Sequence, residues 1–160
     1  MKRVNLDTID RQILSELQAD GRITNVDLSR RVKITAPPCL RRVRSLEKAG
    51  YLRGYHADLD EKMLGYELTA FAFVGLSSQA EVDLKAFIEQ INAWPIVREC
   101  YMLSGEVDFL LKCVAHDLSE FQTFITEKLT AAKNVASVKT ALAIKPAKRE
   151  FGVPVELMRG

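Results

Sequence analysis

Apolar positions in the first fifty residues recur at helical spacing in three short runs. Leu6, Ile9, Ile13, Leu14 and Leu17 form the first, which Asp7 can cap and Asp20-Gly21-Arg22 ends. Thr24 caps a second helix, with Asp27 at its third position as a short capping box and Ile23 and Leu28 as a hydrophobic staple. Leu28 and Val32 face inward there, and the helix gives out near Lys33-Ile34. Thr35 caps a third helix. Pro37 and Pro38 fall in its first turn, where the missing N–H groups have no intrahelical partner, and Gly50 sits where a left-handed C-terminal cap belongs. The stretch 51–59 then alternates, carries aromatics, and reads as a short ribbon or wing leading to a linker.

From Glu67 the period changes. Residues 67–76 are rich in Phe, Val and Leu and predict a strand. Leu84, Phe87, Ile88 and Ile91 predict a one-sided helix, which Trp94-Pro95 breaks. Strands over 96–103 and 106–115 are joined by Ser104-Gly105, a two-residue hairpin signal. Asp117 and Glu120 form another capping box, and Leu118, Phe121, Phe124, Ile125 and Leu129 face one way along the next helix. A strand over 135–144 closes the pattern. The order βαββαβ is the ferredoxin-like, split βαβ arrangement, so the fold class is α+β with both helices on one face of a four-stranded antiparallel sheet. Phe71-Ala72-Phe73-Val74 and Phe109-Leu110-Leu111 are too apolar for the other face to be wet. Sheet-to-sheet dimerisation is the expectation. The boundaries read from these patterns are a first domain over 1–60, a linker over 61–66, a second domain over 67–148 and a tail over 149–160.

Charge sharpens the division. The 160-residue chain has a net charge of +2, but residues 1–55 carry 12 Lys and Arg against 6 Asp and Glu, and the remainder 11 against 15. A head of +6 on a body of −4 suggests that the head alone meets a polyanion. No apolar run approaches the roughly 20 residues of a membrane span. The start lacks the apolar core of a signal peptide. The three cysteines show no CxxC spacing and read as reduced thiols, which points to a cytoplasmic protein with no metal site.

The third helix carries the chemistry. At about 100° per residue, Cys39, Leu40, Val43 and Leu46 gather on one side, with Arg41, Arg44, Ser45 and Lys48 opposite and Arg42 on the flank. By itself this pattern suits a solvated amphipathic helix as well as a recognition helix in a major groove. The short link Lys33-Ile34-Thr35 favours the second, because a helix-turn-helix needs a turn of that length. The residues expected to face DNA are Asn25, Thr35, Ala36, Pro37, Pro38, Arg41, Arg42, Arg44, Ser45 and Lys48.

The segments LDTIDRQIL (6–14), QADGR (18–22), APPCLRRVRSLE (36–47), GYLRGY (50–55) and SGEVDFLLK (104–112) resemble the Lrp/AsnC, or feast/famine, family of transcriptional regulators, in the right order along nearly the whole chain. The resemblance implies a winged helix-turn-helix followed by a RAM-type α/β-sandwich. It further implies dimers gathered into octamers, and an amino acid or related effector bound between dimers. By position, Met102, Leu103, Ser104, Gly105, Glu106, Asp108 and Phe109, with Thr140, Ala141 and Leu142, would line that pocket. A Gly hairpin exposes backbone N–H and C=O groups, and Glu106 or Asp108 could hold an α-ammonium. Ser104-Gly105 alone is equally a plain turn. Three departures from the family pattern stand out: Lys33 where Gly is common, Glu106 for Asp, and Phe109 for Tyr.

Ferredoxin-like folds also host enzymes, and siroheme decarboxylases resemble Lrp/AsnC proteins. His56 and His116, however, stand with no catalytic constellation, and neither a phosphate-binding glycine loop nor HExxH occurs. No catalytic residue and no cofactor is therefore assigned. A DNA-compacting protein without an effector would share the basic helix and the self-association.

Overall fold

A computed structural model describes residues 5–158, so the ends of the expected first domain and tail (1–4 and 159–160) lie outside the described residues. The chain forms two compact units: one runs through Asp58 and resumes at Lys148, and the other spans Leu59–Ala147.

The first unit packs three helices, α1 (Thr8–Ala19), α2 (Asn25–Arg31) and α3 (Ala36–Lys48). Asp7 accepts the Asp10 N–H at 2.8 Å while Asp10 reaches back to the Asp7 N–H, which completes a capping box on α1. Thr24 accepts from the Asp27 N–H at 3.1 Å and starts α2. Thr35 holds the N-cap position of α3 but makes no capping bond, contrary to expectation; the prolines behind it leave fewer N–H groups to satisfy. Helix α3 ends on Gly50 at φ 80°, with Tyr51 N–H donating to the Leu46 carbonyl at 3.0 Å. Helix α2 ends the same way on Lys33 at φ 57°, with Ile34 N–H donating to Ser29 O at 3.0 Å. A lysine does there what glycine does at lower cost.

Leu6, Ile13, Leu14, Leu17, Leu28, Val32, Cys39 and Leu46 fill the core of this unit, and Val155 joins them from the other end of the chain. The segment read as a tail is thus a fourth wall of the helical unit. Gln18 bonds the Val153 backbone at both ends, Nε2 to the carbonyl at 2.8 Å and Oε1 from the N–H at 3.0 Å. Gly152 (φ 78°) lies so close to Gln18 that any Cβ there would overlap the amide. Residues 51–60 form no strand, so the expected wing has no ladder.

In the second unit, β1 (Leu68–Leu76), α4 (Glu81–Asn92), β2 (Val97–Met102), β3 (Phe109–Ala115), α5 (Leu118–Phe124) and β4 (Val135–Leu142) follow the expected order, and α5 runs on into a π-helical turn, Ile125–Leu129. The sheet order is β2-β3-β1-β4, antiparallel throughout. Ala70, Ala72, Val74, Leu111 and Cys113 meet Phe87, Ile91, Phe121 and Phe124 in the core. Burial pushes the Cys113 thiol up to about 12, as suits an inert filler. Phe71, Phe73 and Leu110 lie on the opposite, uncovered face and are only half-buried.

The β2–β3 connection differs from the two-residue turn expected. It takes six residues, 103–108: Leu103 N–H donates to Asp108 O at 2.8 Å, Asp108 N–H donates to Val74 O at 2.9 Å, and the Asp108 carboxylate accepts from Leu76 N at 2.6 Å.

Candidate nucleic-acid interface and effector site

Helix α3 presents Pro37, Arg41, Arg44, Ser45 and Lys48 to solvent, with Thr35 exposed just before them. Cys39 and Leu46 are buried and Val43 half-buried against the other helices. Among the described residues, none of Arg41, Arg44 and Lys48 is ion-paired with a carboxylate. Glu47, on the same helix, accepts the Tyr55 hydroxyl at 2.9 Å. Burial, and then this bond, push that phenol up to about 12. The face therefore holds three cations with no carboxylate partner among the described residues, at spacings that put them on one side of a helix. Such a surface suits a line of phosphates.

Four expected members of the set behave differently. Arg42 turns away from the face: Nη1 lies 2.7 Å from Asp7 Oδ2 and 2.8 Å from Asp10 Oδ1, so the side chain braces α3 against the start of α1. The two carboxylates raise the guanidinium's pKa further, and the Asp10 backbone N–H with Arg42 holds the Asp7 carboxyl below its usual range. Asn25 is also engaged, donating from Nδ2 to the Ala36 carbonyl at 2.9 Å and so bracketing α2 to the first turn of α3. Ala36 and Pro38 are half-buried. Sequence reading missed Leu40, which was expected in the core and is 38% exposed. It lies at i+3 from Pro37 and i−4 from Arg44, and that spacing was its only signal.

The residues expected at an effector pocket divide into two groups. Met102, Leu103, Ser104, Gly105 and Glu106 are exposed at the β2–β3 end, and Thr140, Ala141 and Leu142 are exposed on β4. Strands β2 and β4 are opposite edges, with β3 and β1 between them, so the groups stand about 14 Å apart across the sheet. One subunit does not bring them together around an amino acid. Two further members are corrected. Phe109 is 1% exposed and packs on Phe87 at 5.0 Å between ring centroids, which makes it core. Asp108 is spent on Leu76 N and on Gln79 Nε2 at 2.8 Å, so it shapes the loop rather than offering a free carboxylate. Glu106 remains an exposed acid at the loop.

His56 is exposed, and His116 shares its Nδ1 with Glu120 at 2.8 Å while stacking on Tyr66 at 4.4 Å. Among the described residues, no helix is long and apolar enough to cross a membrane.

Comparison with known proteins agrees with this geometry. Residues 6–53 match the winged helix-turn-helix DNA-binding domain, and residues 69–153 the Lrp/AsnC ligand binding domain. The chain is 58% identical over 146 residues to a leucine-responsive regulatory protein of Rhizobium meliloti, covering 91% of this chain and 94% of that protein. It is 41% identical over 140 residues to the Bkd operon transcriptional regulator of Pseudomonas aeruginosa, covering 88% and 92%. Among solved structures, a transcriptional regulator of Neisseria meningitidis in complex with L-Met superposes with a TM-score of 0.90 at 35% identity, covering 94% of this chain and 97% of that one. An AsnC family regulator of Agrobacterium tumefaciens does so with a TM-score of 0.90 at 31% identity, covering 96% and 100%. With its basic third helix and its four-stranded second unit, the chain belongs to the Lrp/AsnC family of DNA-binding transcriptional regulators.

Proposed function

We propose that this regulator docks the Thr35, Pro37, Arg41, Arg44, Ser45 and Lys48 face of α3 on double-stranded DNA, and that an amino acid bound between subunits modulates the docking. The observation that carries the first half is the set of three exposed cations on one helical face, without a carboxylate partner among the described residues. Asn25 and Arg42 aim that face without touching the duplex.

The second half rests on the split of the expected pocket. The exposed 102–106 loop and the exposed end of β4 lie on opposite edges of one sheet, so a site using both takes them from different subunits. The half-buried Phe71, Phe73 and Leu110 face supplies the apolar surface for a homodimer, and the two edges then remain for contacts between dimers, as an octamer would need. Glu106 is the carboxylate suited to an effector's α-ammonium, and backbone groups of the loop suit its carboxylate. The L-Met complex of the Neisseria regulator supports an amino acid as the ligand class. The output of such a protein is occupancy of DNA rather than chemical turnover, in a cytoplasmic setting.

Thermal melts against the twenty amino acids, paired with sedimentation of the same samples, test the second half. The reading expects one or a few amino acids to raise Tm, since a ligand bound only by the folded assembly must stabilise it. It also expects a sedimentation coefficient well above that of a single chain. A lone 18.0 kDa species with no shift by any amino acid would overturn it.

A further inference from the structure

Leu40 is 38% exposed on α3, although Cys39 at 0% and Leu46 at 4% close the core beside it. An isolated exposed leucine is ordinary on most surfaces. This one shares a face with Pro37, Arg41, Arg44 and Lys48, at the spacing i, i+3, i+4, i+7 and i+11, and that face meets a polyanion. We propose that Leu40 is a specificity-determining residue, making an apolar contact with the C5-methyl of a thymine in the major groove.

The assignment follows from what the groove offers. Phosphate oxygens and the donor and acceptor edges of the bases gain nothing from an isobutyl group and lose water beside it. The thymine methyl is the apolar group on the major-groove floor, and it gains by burial against an aliphatic side chain. Leu40 lies in the N-terminal half of α3, the end of a recognition helix that reaches the bases, while Lys48 at the far end is placed for backbone phosphate. Pro37, exposed one turn earlier, extends the apolar strip without adding a hydrogen-bonding group. The inference rests on the DNA-binding reading and adds base identity to it.

The test uses duplexes that the full-length protein selects from a random-sequence pool, with each thymine then replaced singly by deoxyuridine, which removes only the methyl. Wild type is expected to bind about three- to fivefold more weakly at one thymine or more. L40A and L40N are expected to bind thymine and deoxyuridine duplexes equally at that position, with melting temperatures near that of wild type. R41A is expected to keep the wild-type ratio while binding all duplexes more weakly. The proposal is overturned if wild type is indifferent to every replacement. It is also overturned if L40A and L40N keep the wild-type ratio, or if both variants lose all binding along with their fold. Selection of no duplex at all by wild type would defeat the DNA-binding reading itself.

Discussion

Arg42 on α3 donates from Nη1 to Asp10 Oδ1 on α1 at 2.8 Å, and the same nitrogen lies 2.7 Å from Asp7 Oδ2. One guanidinium thereby closes both carboxylates of the box that opens α1, and α3 is braced where the first helix begins. Arg42→Ala would leave Asp10, whose side chain is only 16% exposed, without its cation. The expected loss is about 1–2 kcal/mol, discounted for the partial exposure of the pair. A melt of the variant should show Tm lowered by several degrees, and a Tm within a degree of wild type would contradict the brace.

The same contact gives a pH dependence with a definite sign. The Asp10 backbone N–H and Arg42 hold the Asp7 carboxyl below its ordinary value of 3.8. A group whose folded pKa is lowered contributes stability that is complete above its unfolded pKa and is lost as pH falls through the folded value. Wild-type Tm should therefore drop more steeply than that of Asp7→Asn on acidification below about pH 4. Parallel curves for the two proteins would show that Asp7 is not held this way.

Lys33 occupies a left-handed position, φ 57°, in the turn between α2 and α3. Lys33→Gly removes the Cβ strain of roughly 1 kcal/mol, partly offset by the greater freedom of glycine in the unfolded chain. A rise in stability of about 0.5 kcal/mol is expected from denaturant titration of the variant. A decrease would mean that the lysine side chain makes a contribution the backbone angle does not reveal.

Val155, 5% exposed, ties the returning C-terminal segment into the core of the helical unit. Val155→Asp places a charge in that core, whereas Val155→Ala only shortens the side chain. The alanine variant should lose about 1–2 kcal/mol and the aspartate variant clearly more, read as successive falls in Tm. Equal Tm for all three proteins would mean that the segment does not pack there in solution.

Much of this architecture was legible before any coordinates, because local chemistry decided it. Asp7 with Asp10, Thr24 with Asp27, and Gly50 each punctuate a helix within a few residues, and the change of period at Glu67 marks the sheet. What stayed hidden depends on partners distant in sequence. Arg42 reads as one more cation on a basic helix until Asp10, 32 residues away, claims it. Asp108 reads as a free carboxylate for an effector until Leu76 N, 32 residues away, and Gln79 claim its two oxygens. Val155 sits in a short stretch with no period of its own, so its place beside α1 has no local signature. Leu40 falls on the apolar side by spacing alone, but Cys39, Val43 and Leu46 already fill that stripe and leave a fourth residue exposed at its edge. The effector residues follow from family position alone, and their separation across one sheet emerges only from the strand order.

The most direct measurement is the affinity of full-length protein for a selected duplex as a function of salt concentration, in wild type and in R41A, R44A, K48A and R42A. If the exposed face of α3 lies against phosphates, each of the first three variants binds more weakly and flattens the log–log slope by up to about 0.9. R42A, measured below its Tm, keeps the wild-type slope because its guanidinium faces Asp7 and Asp10. Wild-type affinity and slope in R41A, R44A and K48A together would contradict the placement of this helix on DNA.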